Sequence, residues 1–162
     1  MLNNKINTYL KIIFFISLIS IISAFFIEYA LGYQPCNLCL IERIPYGLSI
    51  ILIVLNYFFK KNSHFIILLL ILIFSFSVIL SIYHLGIEQG FFEESVFCEA
   101  QNTFDTISKE ELLKQLQAKN VNCKDVTFRI FGFSLTSFNI ILSIFLVILL
   151  TKLFKNYEKF KK

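Results

Sequence analysis

Glycine and charge are scarce in this chain. Five glycines stand apart from one another among 162 residues, so no glycine-rich loop exists to cradle a phosphate, and nucleotide binding of that kind is excluded. No segment repeats at a solenoid period. No low-complexity linker divides the chain, and its length suits one domain. Charged residues make up 16% of the sequence. The formal net charge is +4, but most of the excess lies in the N-terminal segment, at Lys60-Lys61 and in the C-terminal tail. That grouping fits membrane topology signals and argues against a nucleic-acid partner.

What is present is apolar. Hydrophobic residues are 57% of the chain, and the mean hydropathy is +0.73. Phe, Ile and Leu come in blocks rather than at amphipathic spacing, and a water-soluble core of this size could not hide them. A helix needs about 20 apolar residues to cross a bilayer core of about 30 Å. Four stretches qualify, at about 12–31, 44–59, 65–85 and 131–150. The expected fold is therefore an all-α integral membrane four-helix bundle in a lipid bilayer, with one long polar loop at about 88–129. A cleaved signal peptide ending near Ala30 and Gly32 is the rival reading of the first run, but that run is longer than a usual signal core. Residues 1–11 read as a polar lead. Glu28, at the far end of the first span, can reach lipid headgroups. Pro45 lacks a backbone donor, so either the second span starts near it or a helix beginning near Cys36 is kinked there.

Lys5, Lys11, Lys60, Lys61, Lys152, Lys155, Lys159, Lys161 and Lys162 all fall on one side of this four-span arrangement. The positive-inside rule makes that side cytoplasmic. Both termini are then inside, and Cys36, Cys39, Cys98 and Cys123 face outward. In the loop, Ser108 and Glu111 form a capping box. Leu112, Leu113 and Leu116 mark one face of a short helix, and Glu110 and Lys114 are spaced for an ion pair.

Outward cysteines meet an oxidising compartment and tend to pair. Cys36 and Cys39 form one local pair, and Cys98 with Cys123 is the obvious other. A staple explains Cys98–Cys123 well, because a polar loop with little core gains from a cross-link. It explains Cys36–Cys39 poorly, since a two-residue loop constrains little and Cys-x-x-Cys pairs are commoner in redox sites. Zinc is a third reading, weakened by the wide spacing of Cys98 and Cys123. Arg43, four residues after Cys39, stacks on its face in a helix and favours a thiolate. An interfacial anchor is its plainer role, with Glu42 as its partner. His84 closes the third span, either as an interfacial residue or as a donor to the carbonyl of a membrane-dissolved acceptor.

Pro35-Cys36-Asn37-Leu38-Cys39-Leu40-Ile41-Glu42-Arg43 resembles the Pro-Cys-x-Leu-Cys-x-x-(Glu/Gln)-Arg signature of the bacterial disulfide bond formation protein B (DsbB) family. Ile44-Pro45-Tyr46 is similar to many members. Tyr83-His84-Leu85-Gly86-Ile87-Glu88-x-Gly90 resembles the segment that ends the family's third span. Asn122-Cys123-Lys124-Asp125 through Phe131-Gly132-Phe133-Ser134 looks like the stretch that leads into the fourth. The resemblance implies a thiol:quinone oxidoreductase of the bacterial inner membrane. It would re-oxidise a periplasmic thioredoxin-like DsbA protein and reduce ubiquinone or menaquinone. DsbA is itself a strong oxidant, at about −120 mV, beyond the reach of ordinary thiol buffers.

By the same resemblance Cys98 is attacked by the partner, Cys123 exchanges with Cys36, and Cys39 donates to the quinone. Arg43 holds the quinone, His84 aligns with the family's histidine near it, and Glu42 belongs to the same site. The chain departs from the family in having no tryptophan; Phe128 stands where many members carry one. Two rivals share some of these features: a non-catalytic scaffold with two structural disulfides, and a four-span epoxyquinone reductase of the vitamin K type. Glu42-Arg43 directly after the cysteines favours the DsbB-like reading over the latter.

Overall fold

The computed structural model describes residues 2–58, 63–93, 123–124, 129–130 and 132–161. The loop helix expected around Ser108, and Cys98 with it, lie outside the described residues. Four long helices form an antiparallel bundle. Helix α1 spans Leu2–Phe25 and continues through a π turn, Phe26–Ala30. A short α2, Asn37–Ile41, precedes α3, Ile44–Phe58. Helix α4 covers Ser63–Glu88, and α5 covers Leu135–Lys161. A two-residue hairpin, β1 Arg129–Ile130 with β2 Phe133–Ser134, leads into α5.

Each of the four helical stretches is long and apolar enough to cross a membrane, yet only 17–33% of each apolar window is buried inside the protein. Ile19, Ile22, Phe76, Ile79, Ile141 and Phe145 point outward. Exposed apolar bands on all four helices are a surface for lipid, not for water. The inner faces meet in one continuous layer of Ile6, Leu10, Ile13, Ile53, Ile67, Leu70, Phe74, Leu146 and Leu150. Helix α4 packs most extensively on α5, and α1 touches α5 least among the helix pairs with substantial contact. The α1–α5 seam is therefore the loosest side of the bundle.

The element ends depart from the sequence reading for identifiable reasons. Residues 1–11 are not a polar lead: the helix starts at Leu2, because Ile6, Leu10 and Ile13 form an inward stripe at three- and four-residue spacing. Pro45 has both effects considered for it. It cannot bond back to Ile41 and its ring crowds that carbonyl, so α2 ends at Ile41, the chain turns at Glu42-Arg43, and α3 starts afresh. The third helix runs beyond Leu85 to Glu88 and closes with a Schellman turn. The Phe91 amide bonds to the Gly86 carbonyl at 2.8 Å, and Gly90 takes the left-handed conformation this requires, with φ 77°. The fourth helix begins at Leu135 rather than Phe131. Gly132, with φ 86°, makes the hairpin turn, and the Ser134 hydroxyl caps the Ser137 amide at 3.4 Å.

Phe74 is fully buried and meets the Tyr46 ring edge-on at 5.6 Å, whereas Phe76, two residues on, is 60% exposed. Phe74→Ala is expected to destabilise the bundle by about 3–5 kcal/mol through the cavity it leaves. Phe76→Ala is expected to cost far less. Reversible unfolding in mixed micelles checks the contrast, and equal losses for the two variants would contradict the inward and outward assignment.

Candidate functional site

The Cys-x-x-Cys spacing places both thiols on one turn. Cys36 is the N-cap of α2, in extended conformation, and the Cys39 amide points at its sulfur at 3.4 Å. The two Sγ atoms lie 3.0 Å apart, and both cysteines are free thiols. Leu38, in the x-x pair, turns into a small buried cluster with Cys36, Ile87 and Cys123, backed by Ile41, Leu80 and Tyr83. Cys123 is disulfide-bonded. A disulfide-bonded cysteine thus packs in the same buried cluster as the free Cys36–Cys39 pair.

His84 projects from α4 one turn before its end and is 1% exposed. Its Nε2 lies 3.5 Å from the Cys36 sulfur, and its Nδ1 lies 3.0 Å from Glu42 Oε1. A carboxylate only accepts, so Glu42 fixes the proton on Nδ1 and leaves Nε2 free to take the Cys36 proton. Nucleophile, base and orienting carboxylate stand in sequence, the arrangement that activates a thiol. The Cys36 thiol is accordingly pushed below its ordinary value. The Cys39 hydrogen bond is the largest cause; burial opposes it, and the hydrogen bond and charge of His84 add to it.

Glu42 is held from its other side as well. Asn139 donates from Nδ2 to Glu42 Oε2 at 3.0 Å and to Ser81 Oγ at 2.8 Å. Its Oδ1 accepts from the Tyr46 hydroxyl. Tyr46 also meets Ser143, which meets Ser77, each at 3.1 Å. Thr136 bridges His84 Nδ1 at 3.3 Å and donates to Glu88 Oε1 at 2.6 Å. The polar atoms buried near the cysteines therefore form one connected network across α2, α3, α4 and α5.

Arg43 faces the opposite wall. Its guanidinium pairs with Glu28 at 2.5 Å and lies 5.1 Å from the centre of the Phe25 ring. Glu28 sits in the π turn of α1, a local widening of the helix that is common at functional sites. Between these groups lies a cavity of about 320 Å³, within the ~300–1,000 Å³ range of small-molecule sites. Ile19, Ala24 and Ile27 of α1 and Leu135, Phe138 and Leu142 of α5 give it apolar walls. Cys36, Cys39, Glu42, Arg43, His84 and Glu88 give it a polar end, and Cys123 borders it. It lies along the loose α1–α5 seam.

The structure brings together Cys36, Cys39, Glu42, Arg43, His84 and Cys123; Cys98 lies outside the described residues. Four expectations change. Glu42 serves His84 and Asn139, not Arg43. Glu28 pairs with Arg43 instead of reaching for headgroups. His84 is buried, not interfacial, because α4 runs a full turn past it. The helical stacking of Arg43 on Cys39 also fails, because the chain turns at Glu42-Arg43. Sequence reasoning passed over Asn139, Thr136 and Glu88 as site residues. Their signal was polarity inside or at the edge of an apolar run, which is costly unless used. The sulfurs of Cys36 and Cys39 and a ring nitrogen of His84 lie within 4.8 Å of one another, close enough for one soft metal ion when the pair is reduced.

Comparison with known proteins adds the following. The family profile described as disulfide bond formation protein DsbB matches residues 7–153. A protein of Rickettsia prowazekii (strain Madrid E), described as uncharacterized protein RP370, is 32% identical over 137 residues, covering 83% of this chain and 80% of its own length. No solved structure matches.

His84 lowers the Cys36 thiol by stabilising its thiolate, so removing His84 must raise it. In a Cys39→Ser, Cys98→Ser, Cys123→Ser background, His84→Asn is expected to move the pH profile of Cys36 alkylation to higher pH. The rate falls severalfold below neutrality and converges at alkaline pH. Superimposable profiles would rule out the Cys36–His84 contact as the activating one.

Proposed function

The chain belongs to the disulfide bond formation protein DsbB family, and from that premise we propose that it is a membrane thiol:quinone oxidoreductase that re-oxidises a periplasmic DsbA-like dithiol protein. Family membership and four membrane-spanning helices make it a multi-pass membrane protein with an oxidoreductase role in disulfide formation. The partner and the acceptor are the proposal. One observation carries it: a Cys36–Cys39 pair at the polar end of a membrane-face cavity, with a third, disulfide-bonded cysteine, Cys123, packed in the same cluster.

With Cys36 and Cys39 free, the proposed mate of Cys123 is Cys98. The partner's thiolate attacks Cys98, forming a mixed disulfide and releasing Cys123. Cys123 then attacks Cys36 of an oxidised Cys36–Cys39 pair and releases Cys39, while the partner's second thiol displaces Cys98. The freed Cys98 next attacks Cys123 of the Cys123–Cys36 disulfide, re-forming Cys98–Cys123 and releasing Cys36. The partner leaves oxidised, and Cys36 and Cys39 are left as the reduced pair. A quinone bound in the cavity supplies a two-electron, two-proton sink. The cavity suits such a ligand, with apolar walls for a ring and its tail and the donors Arg43 and His84 at the polar end. His84 Nε2 takes the Cys36 proton and Glu42 steadies the ring. Glu28 holds Arg43 across the cavity. Lys11, Lys152 and Lys155 lie toward the opposite end of the bundle, which supports a periplasmic position for the cysteine end by the positive-inside rule.

Purified protein in detergent, given a reduced thioredoxin-like donor, is expected to reduce ubiquinone or menaquinone, followed by ultraviolet absorbance. Cys36→Ser and Cys98→Ser abolish turnover. Arg43→Gln raises the quinone KM about tenfold, equivalent to about 1.4 kcal/mol. No turnover from folded wild-type protein with either quinone would overturn the enzyme reading in favour of a scaffold with structural disulfides.

A further inference from the structure

We infer that Glu88 is the proton donor of this site and that its proton comes from the cysteine-bearing face of the membrane. The inference rests on the quinone-reducing reading above. Glu88 ends α4, one turn beyond His84, and its side chain is 7% exposed. Oε1 accepts from Thr136 Oγ1 at 2.6 Å and lies 3.8 Å from His84 Nε2. Oε2 is buried and has no hydrogen-bond partner among the described residues, although Glu88 lines the cavity. A buried carboxyl oxygen without a partner is expensive and asks for a reason. A ligand atom in the cavity that receives a proton from it is such a reason. Structural bonding alone does not need it, because Oε1 already ties α4 to α5 through Thr136.

The direction of supply follows from what lies beneath. The polar network descends from Cys36 through His84, Glu42, Asn139, Tyr46 and Ser143 to Ser77. There it meets Phe74, edge-on to Tyr46, and below that the layer of Ile67, Leu70, Leu146 and Leu150. On α4 and α5 that layer is apolar. On the α1–α3 side the buried polar groups are the Ser17–Ser49 pair, which hangs from the Tyr46 carbonyl, and Asn56, whose Oδ1 has no partner among the described residues. No continuous hydrogen-bonded chain described there leads from Ser77 to the lysine-bearing end. Glu88 and Thr136 stand at the other end of the network, where α4 and α5 leave the bundle.

The proton count closes. Re-forming the Cys36–Cys39 bond breaks the S–H bonds and releases two electrons, and the reduction consumes two protons. One passes from Cys36 to His84 Nε2 and onward into the cavity. The second leaves Glu88 Oε2. Glu88 regains a proton from the water on its own side, into which the partner dithiol and the second thiol release theirs. The sum is a dithiol plus a quinone giving a disulfide plus a quinol, with no proton crossing the bilayer.

Infrared difference spectra of quinone-free protein, dithiothreitol-reduced minus oxidised, test the residue apart from turnover. A carboxyl carbonyl band should change on reduction, vanish in Glu88→Gln and persist, shifted, in Glu88→Asp. With quinone, Glu88→Gln is expected to lower kcat at least tenfold with little change in the quinone KM, and Glu88→Asp to keep an intermediate rate. Thr136→Val, which frees Glu88 without removing it, lowers kcat a fewfold and serves if Glu88→Gln does not fold. In proteoliposomes with the cysteine face outward, a lumenal pH dye stays constant during turnover. Full kcat in Glu88→Gln, an unchanged carboxyl band, or lumenal alkalinisation in a wild type that turns over would overturn this inference alone. A wild type that never reduces quinone overturns the reading beneath it.

Discussion

Two buried side chains from different spans, Glu42 and His84, meet at 3.0 Å where α2 approaches the end of α4. Neither could stand in an apolar interior alone, because an unpaired buried charge or imidazole is strongly disfavoured. Their contact fixes the tautomer of His84 and aims Nε2 at Cys36. It also pins the turn at Glu42-Arg43, so the short α2 keeps its cysteines against α4. Without it, the polar groups at the end of the bundle lose the connection that makes their burial tolerable.

The rest of the bundle sorts into layers around that contact. Toward the cysteine end, polar atoms from four helices satisfy one another, and Asn139 uses both its amide donors and its carbonyl at once. Toward the lysine end the interior is mainly Ile, Leu and Phe, with Phe74 at the boundary and Asn56 as a buried polar residue of α3. The loose α1–α5 seam opens beside the polar layer, where an apolar ligand can reach the cysteines from within the bilayer. Arg43 and Glu28 hold the α1 side of this opening across a single ion pair. In the proposed function the Cys123 disulfide serves the partner and the Cys36–Cys39 pair serves the cavity, and the packing of Cys123 in the cluster of Cys36 keeps the two side by side.

Much of this was legible in the chain. Four apolar blocks of membrane-spanning length could form little else than a four-helix membrane bundle, and Cys-x-x-Cys followed by Glu-Arg marked the site. The pairings within it were not legible. Glu42 and Arg43 are neighbours in sequence and look like an ion pair, yet successive helical positions diverge by about 100°, and the turn before Pro45 swings them to opposite sides of the cavity. Glu28 looked like a headgroup contact because nothing local reveals Arg43 across the bundle. The depth of His84 depended on how far α4 continued, which the Schellman turn at Gly90 decides. Asn139 and Thr136 gave only a weak signal, single polar residues near the start of an apolar run.

The central claim is that the Cys36–Cys39 pair exchanges electrons with the membrane quinone pool. The most direct measurement is the redox state of that pair in native membranes, read as a gel shift after alkylation with a heavy thiol reagent. The comparison is between membranes with a normal quinone pool and membranes depleted of quinone. The account predicts a pair that is largely oxidised with quinone, accumulates in the reduced form on depletion, and recovers when quinone is added back. A pair that stays oxidised whatever the state of the pool would contradict it and mark Cys36–Cys39 as a structural bond.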